Sequence, residues 1–271
     1  MGIFSYKVGD VKASSFISAF IITNGRSSYK YCKKSIDNQK NISFKVSVIS
    51  DVDWVDANNK ILELCDTEYF LRVDDDYLLH PLAVSYTCND IAYMNKYFDP
   101  IKPTIYTWRL WDFIKKCENY GIKAYEFINA KNIGFRTSPE MEIQKYGYVR
   151  GKIDFVFGVN AKKTYPRGKK SLWRVKRPSI LGGIAFATLE EQLEYRRMRI
   201  EKYKEYNGGD DAMGEYKELT KYADGFSVPI EKQFSLSIDN SFILAKNKEP
   251  IKIKYHKSEE RGFIKCVAPK K

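Results

Sequence analysis

The sequence is poor in histidine and cysteine, which narrows the metal and redox chemistry available to it. There are two histidines, His80 and His256, in 271 residues. The five cysteines stand far apart and form no C-x-x-C pair, which argues against a zinc ribbon and against a framework of disulfides. We therefore expect free thiols and, as the default location, a reducing cytoplasm.

Long apolar runs are also missing. No stretch reaches the roughly 18 apolar residues of a membrane span. The apolar run over residues 16–22 is too short for a span and lacks a charged leader and a cleavage site, so we do not interpret it as a signal peptide. The chain has no internal repeat and no low-complexity linker, and its length favours one large domain.

Positive charge is present in excess. The chain carries 46 lysines and arginines against 34 acidic residues, a formal net charge of +12. Such an excess favours anionic partners: nucleotides, phosphorylated substrates, acidic lipid surfaces or nucleic acid. The charge alone does not choose among these classes.

Three consecutive aspartates, at the end of the stretch YFLRVDDD (residues 69–76), are the most informative feature. The apolar part favours a buried strand. Three adjacent carboxylates repel one another unless a positive partner lies nearby, and a divalent cation chelated to a diphosphate would be such a partner. Strand alternation places Asp74 and Asp76 on one side and Asp75 on the other, and oxygen ligands suit Mg²⁺ or Mn²⁺. The alternative is a simple acidic turn or helix N-cap before Pro81.

Strand and helix patterns alternate along the first third of the chain. Strands are predicted over residues 16–23, 44–49 and 69–73, with helices from Ser27 or Ser28 to 38 and over 55–65. This order is typical of a parallel, doubly wound α/β sheet. Beyond it we predict helices over 81–97 and 189–206, and short strands over 105–109, 123–128, 133–137 and 153–159. The short strands indicate a mixed or antiparallel extension of the sheet.

Polar residues follow each of the first three predicted strands. Asn24 and Arg26 follow the first, Asp51 and Asp53 the second, and the aspartates the third. Right-handed crossovers bring the carboxyl ends of parallel strands to one edge of the sheet, where such folds bind ligands. We therefore predict the functional site at this edge.

With the motif ITNGR (residues 22–26) and the triple aspartate in this order, the chain resembles the GT-A glycosyltransferases, most closely the family-2 group. The similarity extends in order of elements from residue 16 to about 220, with few matching residues. It implies a GT-A-like doubly wound mixed sheet with a Rossmann-like half and a helical, basic C-terminal extension. The implied division is 14–100 for the nucleotide sugar, 101–225 for acceptor and catalysis, and 226–271 for the extension.

The resemblance also implies roles for individual residues. Asp74 and Asp76, with His256, would bind Mn²⁺ or Mg²⁺, and an acidic pair would supply the catalytic base. The donor-binding residues would be Thr23, Asn24, Arg26, Asp51, Asp53, Asp74 and Asp75, and the acidic pair would be Asp210 and Asp211. The chain departs from the family in three ways: only three strands precede the aspartates, the usual prolines and acidic pattern after the second strand are absent, and the helix predicted before Asp210 is unusually long.

A basic segment over residues 165–178 completes the predicted donor site. Lys169 and Arg174 would close over the diphosphate, and Trp173 between the cations is suited to stacking on a sugar or base. The alternative is a solvated loop without a ligand.

The predicted reaction transfers a sugar from a nucleoside diphosphate to an acceptor hydroxyl. Asp76 would hold the metal directly and Asp74 through water or by binding ribose, while mutual repulsion raises the pKa of Asp210 or Asp211 for use as a base. Attack opposite the leaving group would invert the anomeric carbon. The acceptor would be anionic: a glycan, a lipid-linked glycan at a membrane surface, or modified DNA. Two alternatives remain, a sugar nucleotidyltransferase and a nucleic-acid-binding protein without catalysis.

Overall fold

The computed structural model describes residues 13–98, 103–136, 153–164, 174–186, 188–194, 197, 219–233 and 263–265. The strands are β1 Ile17–Ile22, β2 Lys45–Ile49, β3 Tyr69–Asp74, β4 Tyr77–Leu79, β5 Ile105–Asp112, β6 Cys117–Glu126, β7 Arg174–Ile184 and β8 Phe263–Lys265. The helices are α1 Ala13–Phe16, α2 Tyr29–Asp37, α3 Trp54–Leu64, α4 Ala83–Phe98, α5 Phe127–Ile133, α6 Ile153–Thr164 and α7 Ala223–Phe226. Residues 189–194 are also helical.

All eight strands belong to one mixed sheet, in the order β2-β1-β3-β6-β5-β7-β4, with β8 beside β7. β1 is parallel to β2 and β3, and β5 is parallel to β7. β6 lies antiparallel between β3 and β5, and β4 is antiparallel to β7. The carboxyl ends of β1, β2, β3, β5 and β7 therefore meet at one edge of the sheet.

Helices cover both faces of this sheet. On one face the buried side chains of α2 and α4, among them Ile36 and Ile91, pack in one hydrophobic cluster. On the other face α3, α5 and α6 form a second cluster that includes Ile61, Ile133 and Phe157. The predicted α/β fold class, a doubly wound mixed sheet, is confirmed.

Two of the predicted short strands are wrong. Residues 153–159 lie in α6, and the segment after α5, residues 134–136, is not a strand. The aromatic and β-branched residues of the first segment favour a strand, but its buried residues Val156, Phe157, Asn160 and Ala161 recur at helical spacing. Packing on the sheet has overridden the local preference.

The close approach of β4 to β7 depends on a glycine. Gly182 pairs with Leu79, and a Cβ atom at position 182 would lie 2.0 Å from the backbone oxygen of Leu78. Just beyond this pair, the amide of Ala185 donates a hydrogen bond of 2.8 Å to the backbone oxygen of Asp76. The bare backbone of Gly182 thus lets β7 fix the position of the chain directly after the triple aspartate.

An ion cluster around the buried guanidinium of Arg72 ties α6 to the middle of the sheet. The Arg72 side chain is 2% exposed, and its guanidinium binds both carboxylate oxygens of Asp154, at 2.8 and 3.1 Å. Lys123 also contacts this carboxylate. Burial opposes ionisation of Asp154, but the charges of Arg72 and Lys123 outweigh it and lower the pKa of the carboxyl group. The cluster is therefore charged at neutral pH and holds α6 against β3 and β6.

Cys32, Cys65, Cys88 and Cys117 are free, and the first three are buried. None of the helices in these ranges has both the length and the apolar character needed to cross a bilayer.

Candidate functional site

The three aspartates form a turn at the carboxyl edge of the sheet. β3 ends at Asp74, and Asp75 and Asp76 make the turn into β4; we call residues 74–76 the acid turn. The thiol of Cys32 on α2 lies 3.5 Å from the backbone oxygen of Asp74, and the turn is bonded to β7 through Ala185. The acid turn is therefore held from two sides by its backbone, which leaves its side chains to face the edge of the sheet.

The loop after β1 is connected to the acid turn through Asp75. The hydroxyl of Thr23 donates to Asp75 Oδ2 at 2.8 Å, and the amide of Asn24 donates to the same oxygen at 3.3 Å. The amide of Gly25 donates to the Thr23 hydroxyl at 3.0 Å, and Gly25 has a φ of 82°, which glycine adopts without strain. These bonds bring ITNGR and the triple aspartate together, as the sequence predicted.

Arg26 extends from this loop to the aspartates. Its Nη1 atom lies 3.2 Å from Asp76 Oδ2 and 3.6 Å from Asp75 Oδ1. Asp74 instead faces Arg72, with 3.7 Å between Asp74 Oδ1 and Arg72 Nε. The predicted separation of Asp75 from Asp74 and Asp76 is not observed: strand pairing stops at Asp74, so alternation does not continue through the turn, and Asp75 shares Arg26 with Asp76.

The acid turn is short of positive charge. Burial raises the pKa of Asp76 to about 7, with Asp74 and Asp75 adding to the shift and Arg26 opposing it. Burial also raises the pKa of Asp75, against the effects of Arg26 and of the bond from Thr23. The guanidinium of Arg26 and that of Arg72, which is shared with Asp154, thus leave part of the negative charge of the turn unbalanced, and an additional cation would stabilise it.

A cavity of about 610 Å³ opens at this edge of the sheet. The carboxyl ends of four parallel strands, the segment before α3 and the C-terminal part of the chain contribute to its wall. The lining residues are Ile22, Thr23, Asn24, Arg26, Val52, Trp54, Asp74, Asp75, Asp76, Tyr77, Asp112, Lys115, Asn119, Tyr120, Ile184, Phe186, Gln192 and Leu219. The predicted location of the site, at the carboxyl ends of the parallel strands, agrees with this cavity.

The hairpin between β5 and β6 supplies a polar wall that the sequence analysis did not assign. Asp112 is 2% exposed; its carboxylate accepts the Lys115 amide at 2.9 Å and the Asn119 side-chain amide at 3.1 Å. Burial raises the pKa of Asp112, and these two bonds oppose the shift. The polarity of Asp112 at the end of an apolar strand is the sequence signal that marks this wall.

The residues after β2 contribute apolar surface rather than the predicted acids. Asp53 is the N-cap of α3 and accepts the amides of Val55 and Asp56 at 2.7 and 2.9 Å. Asp51 has a φ of 62° and accepts a bond from Ser50, and neither acid lines the cavity. Their neighbours Val52 and Trp54 do line it, with 50% and 41% of their surface exposed. In the sequence, the signal available for this surface was a tryptophan, Trp54, directly after the helix-capping residue Asp53.

The structure does not bring Arg174 to the cavity. Arg174 begins β7, paired with Ile105 at the start of β5, whereas the cavity lies at the other end of these strands, near Asp112 and Ile184. Arg174 therefore does not line the cavity, and its predicted contact with a donor gains no support from this arrangement. The other predicted residues in the distal part of the chain lie outside the described residues: Lys169, Asp210, Asp211 and His256.

The acid turn has the chemistry of a partial site for a hard divalent cation. Asp74 Oδ1 and Asp76 Oδ1 are buried, and neither has a hydrogen-bond partner among the described residues. Carboxylate oxygens are the ligands that Mg²⁺ and Mn²⁺ favour, and such sites are commonly completed by phosphate oxygens and water. Over the described ranges, no three acidic, histidine or cysteine side chains form a complete metal cluster. The residues thus fit a metal that is shared with a phosphate-bearing ligand.

Chain beyond β7 closes one side of the cavity. Gln192 and Leu219 line it, and the buried side chain of Gln233 anchors the segment formed by residues 219–233. The Gln233 amide accepts from the Phe186 backbone amide and donates to the backbone oxygens of Phe186 and Val228. The C-terminal segment is thereby tied to the chain that leaves β7 beside the acid turn.

No protein-family model matches the chain, and no curated protein sequence matches it. Its overall structure is similar to that of PcManGT, a mannosyltransferase from Pyrobaculum calidifontis in complex with GDP-Man and Mn²⁺, at 9% identity and a TM-score of 0.43, over 86% of this chain and 76% of that one. S. aureus TarS in complex with UDP-GlcNAc matches at 14% identity and a TM-score of 0.34, over 86% of this chain and 80% of that one.

Two further solved structures show a similar distant likeness. Another alignment with TarS spans 44% of this chain and half of that chain, at a TM-score of 0.31. A 4-diphosphocytidyl-2C-methyl-D-erythritol synthase from Anaerococcus prevotii matches at 10% identity and a TM-score of 0.34, over 60% of this chain and 89% of that one. Glycosyltransferases are among the structures that the chain resembles, as the sequence implied, but likeness at this level says nothing about substrates.

Proposed function

We propose that the chain is a glycosyltransferase that moves a sugar from a nucleoside diphosphate to an acceptor hydroxyl, with Mn²⁺ or Mg²⁺ bound at the acid turn. The observation that carries the proposal is the pair of buried carboxylate oxygens without hydrogen bonds, on Asp74 and Asp76, at the carboxyl edge of a doubly wound sheet. The adjoining cavity of about 610 Å³ lies within the range of small-molecule sites. Its acidic floor disfavours phosphate unless a cation is bound with it.

The donor diphosphate would lie over the acid turn and the loop of Thr23, Asn24 and Arg26. When bound, the metal neutralises the diphosphate as it leaves and so acts as a Lewis acid. Asp76 would hold the metal, with Asp74 holding it through water or binding the ribose. The nucleobase would lie on the apolar surface of Val52 and Trp54, because the neighbouring acids are turned away from the cavity.

The acceptor would approach along the polar wall of Asp112, Lys115 and Asn119. We place the catalytic base on Asp210 or Asp211: the base takes the proton of the acceptor hydroxyl, and the hydroxyl oxygen bonds to the anomeric carbon. The bond from that carbon to the diphosphate then breaks, and the nucleoside diphosphate leaves with the bonding electrons, with inversion at carbon. The net charge of +12 favours an anionic acceptor, such as a charged or lipid-linked glycan or modified DNA.

The proposal is tested by thermal unfolding of the wild-type protein with UDP, GDP, CDP or ADP, each in Mn²⁺ and in EDTA. We expect at least one nucleotide to raise the Tm in Mn²⁺ but not in EDTA, because the metal joins the diphosphate to the acid turn. Equal Tm values under all these conditions would contradict the proposal. Stabilisation by a nucleoside triphosphate, which releases pyrophosphate when a sugar phosphate attacks its α-phosphorus, would instead support a nucleotidyltransferase.

Replacing Trp54 by alanine is expected to weaken binding of the stabilising nucleotide by roughly tenfold, the effect of losing one stacked base. The matched control is Tyr93→Ala, because Tyr93 is equally exposed, at 42%, but lies on α4 away from the cavity. Calorimetric titration in Mn²⁺ measures both. Equal affinities for the Trp54→Ala and Tyr93→Ala variants would exclude the base from this surface.

A further inference from the structure

Arg26 occupies the position in which a cation is needed. Its Nη1 atom is within 3.6 Å of one oxygen each of Asp75 and Asp76, and its side chain is 20% exposed. The side chains that it contacts are 6% and 15% exposed. The guanidinium therefore compensates, within the protein itself, part of the charge that burial makes costly at the acid turn.

A divalent metal and this guanidinium compete for the carboxylate of Asp76. A metal bound to Asp76 would lie within a few Å of Arg26 Nη1, and the two positive charges would repel each other in a partly buried site. The acid turn would also have little need of Arg26 once the metal neutralised it. Metal and guanidinium are therefore expected to bind the acid turn in alternation.

The way in which the loop after β1 is attached allows the Arg26 guanidinium to leave the acid turn when a metal binds there. The backbone around Arg26 is fixed on both sides: Thr23 and the Asn24 amide are bonded to Asp75, and the Tyr29 amide donates to the Arg26 backbone oxygen at 3.0 Å. The Arg26 side chain, by contrast, reaches the aspartates from the cavity wall, with solvent on part of its surface. The guanidinium can rotate away while the loop stays in place.

We propose that Arg26 is a displaceable counter-ion of the acid turn: it neutralises Asp75 and Asp76 in the metal-free protein, and metal binding releases it to contact the donor diphosphate. This inference rests on the proposed function. It makes Arg26 a positioning residue for the metal-free turn and a ligand of the diphosphate afterwards. The metal and the nucleotide then bind cooperatively, since the first frees a cation that the second uses.

The test separates the two roles by the sign of their effects. Binding of Mn²⁺ alone, without nucleotide, is measured by electron paramagnetic resonance for wild type, Arg26→Gln, Arg26→Lys and Lys33→Ala. We expect Arg26→Gln to bind Mn²⁺ on the order of tenfold more tightly, because one competing charge is gone. Arg26→Lys keeps that charge and should stay near wild type. Lys33→Ala should be unchanged, since Lys33 pairs with Asp37 on the exposed side of α2.

Nucleotide binding should change in the opposite direction. In saturating Mn²⁺, Arg26→Gln should bind the stabilising nucleoside diphosphate roughly tenfold more weakly, because the diphosphate loses one cationic contact. A purely structural role for Arg26 would weaken both ligands together. If Arg26→Gln does not melt cooperatively, Arg26→Met gives the same comparison with the aliphatic stem retained.

The outcomes are distinguishable. If the wild type binds Mn²⁺ and the Arg26→Gln variant binds it equally or more weakly, the proposed exchange is overturned. The proposed function is then unaffected. Wild type that binds no Mn²⁺, alone or with any of the four nucleotides, overturns both. Tighter metal binding with weaker nucleotide binding supports the exchange.

Discussion

Asp76→Asn is expected to lower sugar transfer on the order of 1,000-fold, because the leaving diphosphate loses the metal that neutralises it. The loss should fall on kcat and on the affinity for the donor in Mn²⁺ together. The control is Asp66→Asn: Asp66 is paired with Lys45 at the surface, with 64% of its side chain exposed, and its replacement should leave transfer unchanged. Turnover is measured as release of nucleoside diphosphate, with the nucleotide that stabilises the wild type.

The same substitution is expected to stabilise the metal-free protein. The pKa of Asp76 is raised to about 7 in the folded chain, above the value of about 4 of an unfolded aspartate. The folded state thus binds more protons between these values, and wild type loses stability as the pH rises from 4 to 7. Asparagine has no such loss, so in EDTA the Tm of the variant should exceed that of wild type at pH 8 and match it near pH 4.

An Asp76→Asn protein that is less stable than wild type at pH 8 in EDTA would contradict this account of the acid turn. It would mean that the ion pair with Arg26 outweighs the burial of the carboxylate. Full activity of the variant would contradict the proposed metal site itself. Loss of activity with a gain of stability would identify Asp76 as a residue that is kept for function at the expense of the fold.

Gly182→Ala is expected to have the largest effect on stability of the substitutions considered, about 3 kcal/mol of unfolding free energy. The added Cβ would lie 2.0 Å from the Leu78 backbone oxygen, and a backbone atom can move only if β4 moves with it. Displacement of β4 would also shift the acid turn, so donor binding should fall further than the loss of folded protein explains. Urea unfolding and nucleotide titration measure the two effects.

Gly121→Ala is the matched control, since it adds the same methyl group to another strand of the same sheet. There the Cβ would lie 2.3 Å from Leu110 Cδ1, the end of a side chain that can rotate. We expect a loss of only about 1 kcal/mol, because the nearest neighbours, Leu110 and the Tyr77 ring at 3.1 Å, are side chains rather than backbone. Equal losses in both variants would show that the β4 backbone yields as easily as a leucine side chain.

The sequence predicted those parts of the fold in which local pattern and tertiary environment agree. β1 and β3 lie within a residue or so of the apolar runs that predicted them, since strands covered on both faces appear as continuous apolar segments. β2, at the end of the sheet, lies within a residue of the alternating segment that predicted it. α6 was missed because its first residues favour a strand by composition. Packing of its buried face against the second cluster, which no local pattern records, decided the outcome.

The predictions for the site succeeded and failed for a similar reason. The approach of Arg26 to the acid turn follows from strand order, because the ends of adjacent parallel strands must meet. Arg174 looked suitable by charge alone, but charge does not indicate the end of a strand at which a residue lies. Asp112 and Trp54 reach the cavity through a hairpin and a helix start whose positions depend on the assembled sheet.

The pairing of β4 with β7 has a consequence for the protein while it is being made. Leu79 leaves the ribosome about 100 residues before its partner Gly182, a delay of roughly 5 to 20 seconds at ordinary rates of synthesis. Until then β4 lacks its partner strand, and the acid turn lacks its bond from Ala185. In a nascent chain the three aspartates would therefore have Arg26 and Arg72 beside them but not β7, and cations in the surrounding solution would reach them before β7 is in place.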